Sequence, residues 1–154
     1  MRISGVLILG FCVMIFGFYL TNRLVLKLKQ LNKIIYFIEY IYTNIKCSKL
    51  TVAEIFKSLN NKDFEFLKLD ETDYKDICFN NSSLLLSADE KNSLYNFFLF
   101  LGKTDVESQL EHCGIYKETF KKYLENDEKE CNKKIKMYPS LFVLLGMLVI
   151  ILFV

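Results

Sequence analysis

Every charged residue of this 154-residue protein except Arg2 lies between two uncharged apolar runs, Ile3 to Leu20 at one end and Leu141 to Val154 at the other. The sequence is 52% apolar and 25% charged, and only this segregation reconciles its mean hydropathy of +0.21 with so many Lys, Asp and Glu residues. As a helix the first run is about 27 Å long, close to the hydrocarbon thickness of a bilayer. Adding Met137 to Ser140 gives the second run the same reach, with Tyr138 where an interfacial aromatic is favoured. The order is membrane, domain, membrane: residues 1–20 a transmembrane helix, 21–137 a helical domain and 138–154 a second transmembrane helix. Only Arg2 precedes the first run and no small-x-small site follows it, so an anchor is expected rather than a cleaved signal peptide.

Arg23, Lys27, Lys29 and Lys33 follow the first run, and Lys129, Lys133, Lys134 and Lys136 precede the second. Basic residues mark the cytosolic flank of a span, so the domain is expected in the cytosol and both termini on the other side. Five cysteines, with no C-x-x-C pair, suit a reducing compartment and buried thiols. The N-x-S patterns opened by Asn80 and Asn81 carry no weight in that orientation.

Between the spans the periodicity is helical. Leu24, Leu28, Leu31, Ile35, Ile38, Tyr42 and Ile45 alternate steps of four and three, which predicts a helix continuing from the first span. Thr51 with Glu54 has capping-box spacing, and Val52, Ile55, Phe56 and Leu59 give a short second helix, with a turn around Cys47 to Leu50. Over Asn60 to Leu86 the pattern is mixed, Phe64 and Phe66 alternating and Tyr74, Ile77 and Cys78 at helical spacing; short helices are expected there. Ser87 with Glu90 opens a helix carrying Leu94, Phe97, Phe98 and Leu101. Gly102 suits a left-handed stop, and Thr104 with Glu107 a new capping box. From Val106 a long stripe follows, through Leu110, Cys113, Tyr116, Phe120, Leu124, Cys131, Ile135 and Tyr138, interrupted by Asp127 and Glu128. It enters the second span at Pro139, where a bend is expected. The fold class is all-α: an antiparallel helical bundle flanked by an N-terminal and a C-terminal transmembrane helix.

No catalytic constellation emerges. Gly102-Lys103-Thr104 resembles the end of a phosphate-binding loop, but Phe97 stands where that motif needs glycine, and the motif joins a strand to a helix. His112 is the only histidine, so metal binding is not expected, and it reads as a partly exposed helical residue. His112 and Cys113 occupy consecutive helical positions that point apart, and no G-x-S-x-G is present. Catalytic, cofactor and metal sites are therefore expected to be absent. A net charge of +2 and basic residues beside the spans suit lipid headgroups better than nucleic acid. Neither span holds an ionisable residue of the kind that marks a transport pathway. Gly5, Gly10 and Gly17 allow close helix contact without forming G-x-x-x-G. A scaffold or partner-binding protein remains. The alternatives are a pore-forming or other oligomeric membrane protein, which would need more polar residues on one face of a span than Ser4 and Thr21, and a membrane enzyme, which would need clustered titratable groups.

Three stretches resemble the stage III sporulation protein AB family. They are Gly17, Phe18, Asn22 and Arg23 leading into Gln30 and Leu31, then Thr51 to Phe56; Leu101-Gly102-Lys103-Thr104-Asp105 with Gln109; and Met137-Tyr138-Pro139-Ser140-Leu141 with Gly146. Departures fall at Pro139, often basic in that family, at Phe142, often glycine, and in a shortened Asn60 to Leu86 region. The resemblance implies a component of the channel joining mother cell and forespore, in the mother-cell membrane surrounding the forespore. It implies a cytosolic domain similar to the F-type platform proteins of type II secretion and type IV pilus systems. It further implies a partner, the stage III sporulation protein AA family of secretion-type ATPases, alongside other channel components, and leaves room for a homo-oligomer. Gly102, Thr104, Asp105 and Gln109 are the partner-binding candidates. The bland reading of Asp105 is a charge stabilising the first turn of a helix.

Overall fold

The computed structural model describes residues 2–48, 51–58, 64–67 and 76–153. Helix α1 spans Arg2–Thr43 and ends in a π-helical turn, Asn44–Ser48; α2 spans Val52–Ser58; single turns occupy Glu65–Leu67 and Asp76–Asn80; α3 spans Ala88–Phe100; and α4 spans Val106–Phe153. There is no strand among the described residues. The short-helix expectation for Asn60 to Leu86 holds as these two single turns, while Leu59, Tyr74 and the Lys49 and Leu50 end of the expected turn lie outside the described residues. Two helices, α1 and α4, are long and apolar enough to cross a membrane. The molecule divides into two compact units, Met1–Leu28 with Asn126–Val154, and Lys29–Glu125.

In the first unit the ends of α1 and α4 run antiparallel with backbones close together. A Cβ added at Gly17 would lie 2.5 Å from the Phe142 Cβ, and one at Gly146 would lie 3.0 Å from the carbonyl oxygen of Gly10. Gly17 thus gives Phe142 its seat, and the Phe142 ring meets Phe16 and Tyr138 edge-on. Glycines spaced seven apart on α1 achieve this approach without a G-x-x-x-G pattern, because Gly10 and Gly17 fall on one helical face. Ile8, Phe11, Ile15 and Phe18 on α1 and Leu144, Leu148 and Ile151 on α4 stay exposed, as lipid-facing side chains would. Helix α4 runs unbroken through Pro139, although proline has no N–H to offer the carbonyl one turn before it.

In the second unit α1 contributes Leu31, Ile34, Phe37, Ile38 and Ile41 to the core, and the π-helical turn after it contributes Ile45. That face is wider than the expected stripe: Ile34, Phe37 and Ile41 are wholly buried, while Ile35 and Tyr42 pack at its margin. Phe37 sits at the centre, its ring 5.2 Å from Phe64, 6.0 Å from Phe98 and 6.2 Å from Phe56. Burying one such ring contributes about 2–3 kcal/mol. Ile55 from α2, Leu94, Phe97 and Phe98 from α3, and Cys113 and Phe120 from α4 join the same cluster, with Leu67, Ile77, Cys78, Leu84, Leu86 and Leu101 from the connecting segments. Ser93 on α3 bonds Tyr123 on α4 at 3.0 Å while Phe97 pairs with His112, so these two helices run antiparallel.

Local chemistry sets the helix ends. The Ser87 hydroxyl accepts from the Glu90 N–H and the Glu90 carboxylate accepts from the Ser87 N–H at 2.7 Å, a complete capping box. Thr51 and Glu54 form the same box for α2. The segment before α3 is held by side chains: the Gln30 amide donates to the Ser83 carbonyl at 2.6 Å and accepts from the Leu85 N–H at 2.8 Å. Buried Asn81 donates to the Phe66 carbonyl and accepts from the Ser83 N–H, closing an Asx-turn.

Candidate functional site

The corner between α3 and α4 carries the four residues singled out by sequence. Leu101 is buried and ends α3 in extended conformation; Gly102 then takes φ +79°, the left-handed region that costs a residue with a Cβ about 1–2 kcal/mol. Val52 of α2 lies 3.5 Å from where a Gly102 Cβ would sit, so the corner rests against the second helix.

The N-cap of α4 differs from expectation. Asp105, one residue later than the expected Thr104, caps the helix: its carboxylate accepts from the Ser108 N–H at 3.2 Å and from the Ser108 hydroxyl at 2.7 Å, and its carbonyl from the Gln109 N–H at 3.0 Å. A carboxylate outcompetes a hydroxyl here because it accepts twice and its charge faces the positive helix end. The Ser108 hydroxyl and N–H hold the Asp105 carboxyl below its ordinary value. The Gln109 side chain turns back to donate to the Thr104 carbonyl at 2.6 Å. Gly102, Lys103, Thr104 and Asp105 are all exposed, and Gln109 is half-buried.

One turn farther along α4, His112 is half-buried, in keeping with the partly exposed helical residue expected. Its ring stacks on Phe97 at 5.5 Å and 6°, lies 4.6 Å from Tyr116 and meets Phe100 edge-on. Its Nε2 donates to the Phe97 carbonyl at 3.2 Å, which sets the tautomer. That carbonyl lies in the last turn of α3, where no intrahelical donor remains, so the His112 ring caps the C-terminal end of that helix. Burial pushes the neighbouring Tyr116 hydroxyl above its usual value. No sequence spacing marks this link; only the closeness of His112 to the Gly102 corner along α4 hints at it. Gly102, Thr104, Asp105 and Gln109 are therefore brought together, and each is engaged in shaping the corner.

A family model described as stage III sporulation protein AB matches residues 74–154, more than half of the sequence. The chain belongs to that family. The matched stretch holds α3, the Gly102 corner and the whole of α4, so it includes two of the three resembling stretches; the one running from Gly17 to Phe56 lies before it. As a stage III sporulation protein AB family member, this is a sporulation-related protein with two helices able to cross a membrane. No curated protein and no solved structure matches the sequence.

Proposed function

We propose that this protein is a non-enzymatic membrane scaffold of the channel between mother cell and forespore, and that its helical unit docks a secretion-type ATPase of the stage III sporulation protein AA kind. The observation that carries this reading is the family match over 74–154, which joins the exposed Gly102 corner and an apolar helix in one stretch. The basic flanks favour a cytosolic helical unit, where such an ATPase would meet it. Asp105 and Thr104 at the corner face solvent and offer a charge and a hydroxyl to a partner, while their backbone is held by the cap. The protein itself supplies position rather than chemistry, in the manner of a secretion platform protein.

Affinity capture of the tagged full-length protein from membranes of sporulating cells tests partner and context together. Recovery of a secretion-type ATPase with other channel components is expected. Its absence from capture, with the bait recovered in full, overturns the docking role.

A further inference from the structure

Helix α4 carries one face that changes character along its length. Lys133, Lys136, Met137, Ser140, Leu141 and Leu144 recur at alternating steps of three and one and line a single trough of about 580 Å³. Two ammonium groups stand at one end, Met137 and the Ser140 hydroxyl in the middle and two leucines beyond. All six are exposed, Leu144 at 65% and Met137 at 52%. Leu144 lies about 12 Å along the axis from Lys136, at 1.5 Å per residue.

Nearby carboxylates are engaged elsewhere. Glu130, the acid one turn before Lys133, is taken by Lys134 at 3.1 Å, and Asp127 by Lys27. Among the described residues no ion pair involves Lys133 or Lys136. Positive charge at one end and exposed hydrocarbon at the other match the two ends of an anionic phospholipid. An acidic soluble protein would satisfy the lysines and leave the leucines bare. A second copy packed symmetrically on the same face would set lysine against lysine.

We propose that this trough is a binding site for one anionic phospholipid. Its phosphate sits between Lys133 and Lys136, the Ser140 hydroxyl donates to a glycerol ester oxygen, and an acyl tail lies along Met137, Leu141 and Leu144. The site rests on the reading of α4 as a membrane span, and it would hold the span at a fixed depth by charge as well as by burial.

The test is native mass spectrometry of the full-length protein in a nonionic detergent, titrated with dioleoylphosphatidylglycerol or dioleoylphosphatidylcholine. The phosphatidylglycerol adduct is expected at several-fold lower lipid concentration. Lys133→Gln with Lys136→Gln should weaken it by about fivefold per charge removed. Lys103→Gln with Lys122→Gln, the same charge change outside the trough, should leave it unaltered. Equal binding of the two lipids, a preference that survives Lys133→Gln with Lys136→Gln, or a dimer that excludes lipid would overturn the site. Carbonate washing of membranes separates the two claims. A protein retained in the membrane but showing no lipid preference overturns the site alone; a protein released to the supernatant overturns the span as well.

Discussion

Lys27 of α1 and Asp127 of α4 form an ion pair between the two long helices, with side chains only 20% and 22% exposed. Asp127 lies on the apolar stripe of α4, between Leu124 and Cys131, and not beside it. An acid at such a position is tolerable only because an ammonium comes to it from the other helix. Asp127→Ala or Lys27→Ala alone should therefore destabilise the protein by about 1–3 kcal/mol, below the value for a fully buried pair because water still reaches both groups. Lys27→Met with Asp127→Leu should recover most of that loss. Thermal unfolding of the parent and the three variants in detergent checks the ordering; additive losses would contradict it.

The glycine contacts of the first unit predict a graded series. Gly17→Ala sets a Cβ against the Phe142 Cβ, which is fixed to its own helix and cannot swing away, so a loss of about 1–3 kcal/mol is expected. Gly5→Ala meets nothing within 4 Å and should be neutral or slightly stabilising, through helix propensity worth up to about 1 kcal/mol. Melting temperatures in lipid or detergent decide, and equal effects at the two positions would contradict the close approach.

Cysteine reactivity joins fold to topology. Cys47 is exposed, whereas Cys78 and Cys113 are buried and burial pushes their thiols up to about 12 and about 11. The thiolate is the reacting form, so at pH 8 Cys78 presents it in roughly one molecule in ten thousand. An impermeant maleimide should leave Cys47 unlabelled in intact cells and label it once the membrane is permeabilised, with Cys78 and Cys113 reacting only in denaturant. Labelling of Cys47 from outside intact cells would contradict the cytosolic placement.

How far the sequence reaches depends on the range of each interaction. The Ser87–Glu90 and Thr51–Glu54 boxes and the Gly102 stop are readable because each closes within three or four residues. The start of α4 misleads because Thr104/Glu107 and Asp105/Ser108 both have cap spacing, and only the geometry shows the carboxylate winning. Asp127 reads as an interruption of the stripe because its partner lies 100 residues away. Gln30, marked only as part of a resemblance, owes its role to Ser83 and Leu85, and no local pattern joins them. Ile34, Phe37 and Ile41 fall outside the expected core stripe because a helix packed on several sides buries more than a single 3–4 row.

At the corner, Asp105 separates capping from docking. Its carboxyl is held below the ordinary value in the folded protein, so its contribution to stability is present above the ordinary carboxylate range and is lost as pH falls through the folded value. Asp105→Ala should lower the melting temperature at neutral pH, and the gap from the parent should close on acidification. Asp105→Asn keeps a capping oxygen, so with Gln109→Ala it should spare most of the stability while abolishing capture of the ATPase. A marked fall in melting temperature with capture intact would assign the corner to the cap alone.

The scaffold role is tested most directly by calorimetry with the purified full-length protein in lipid nanodiscs, titrated with a stage III sporulation protein AA-type ATPase at moderate salt. The account predicts saturable binding, with no nucleotide hydrolysis by the membrane protein alone. No detectable binding, or hydrolysis without the ATPase present, would contradict it.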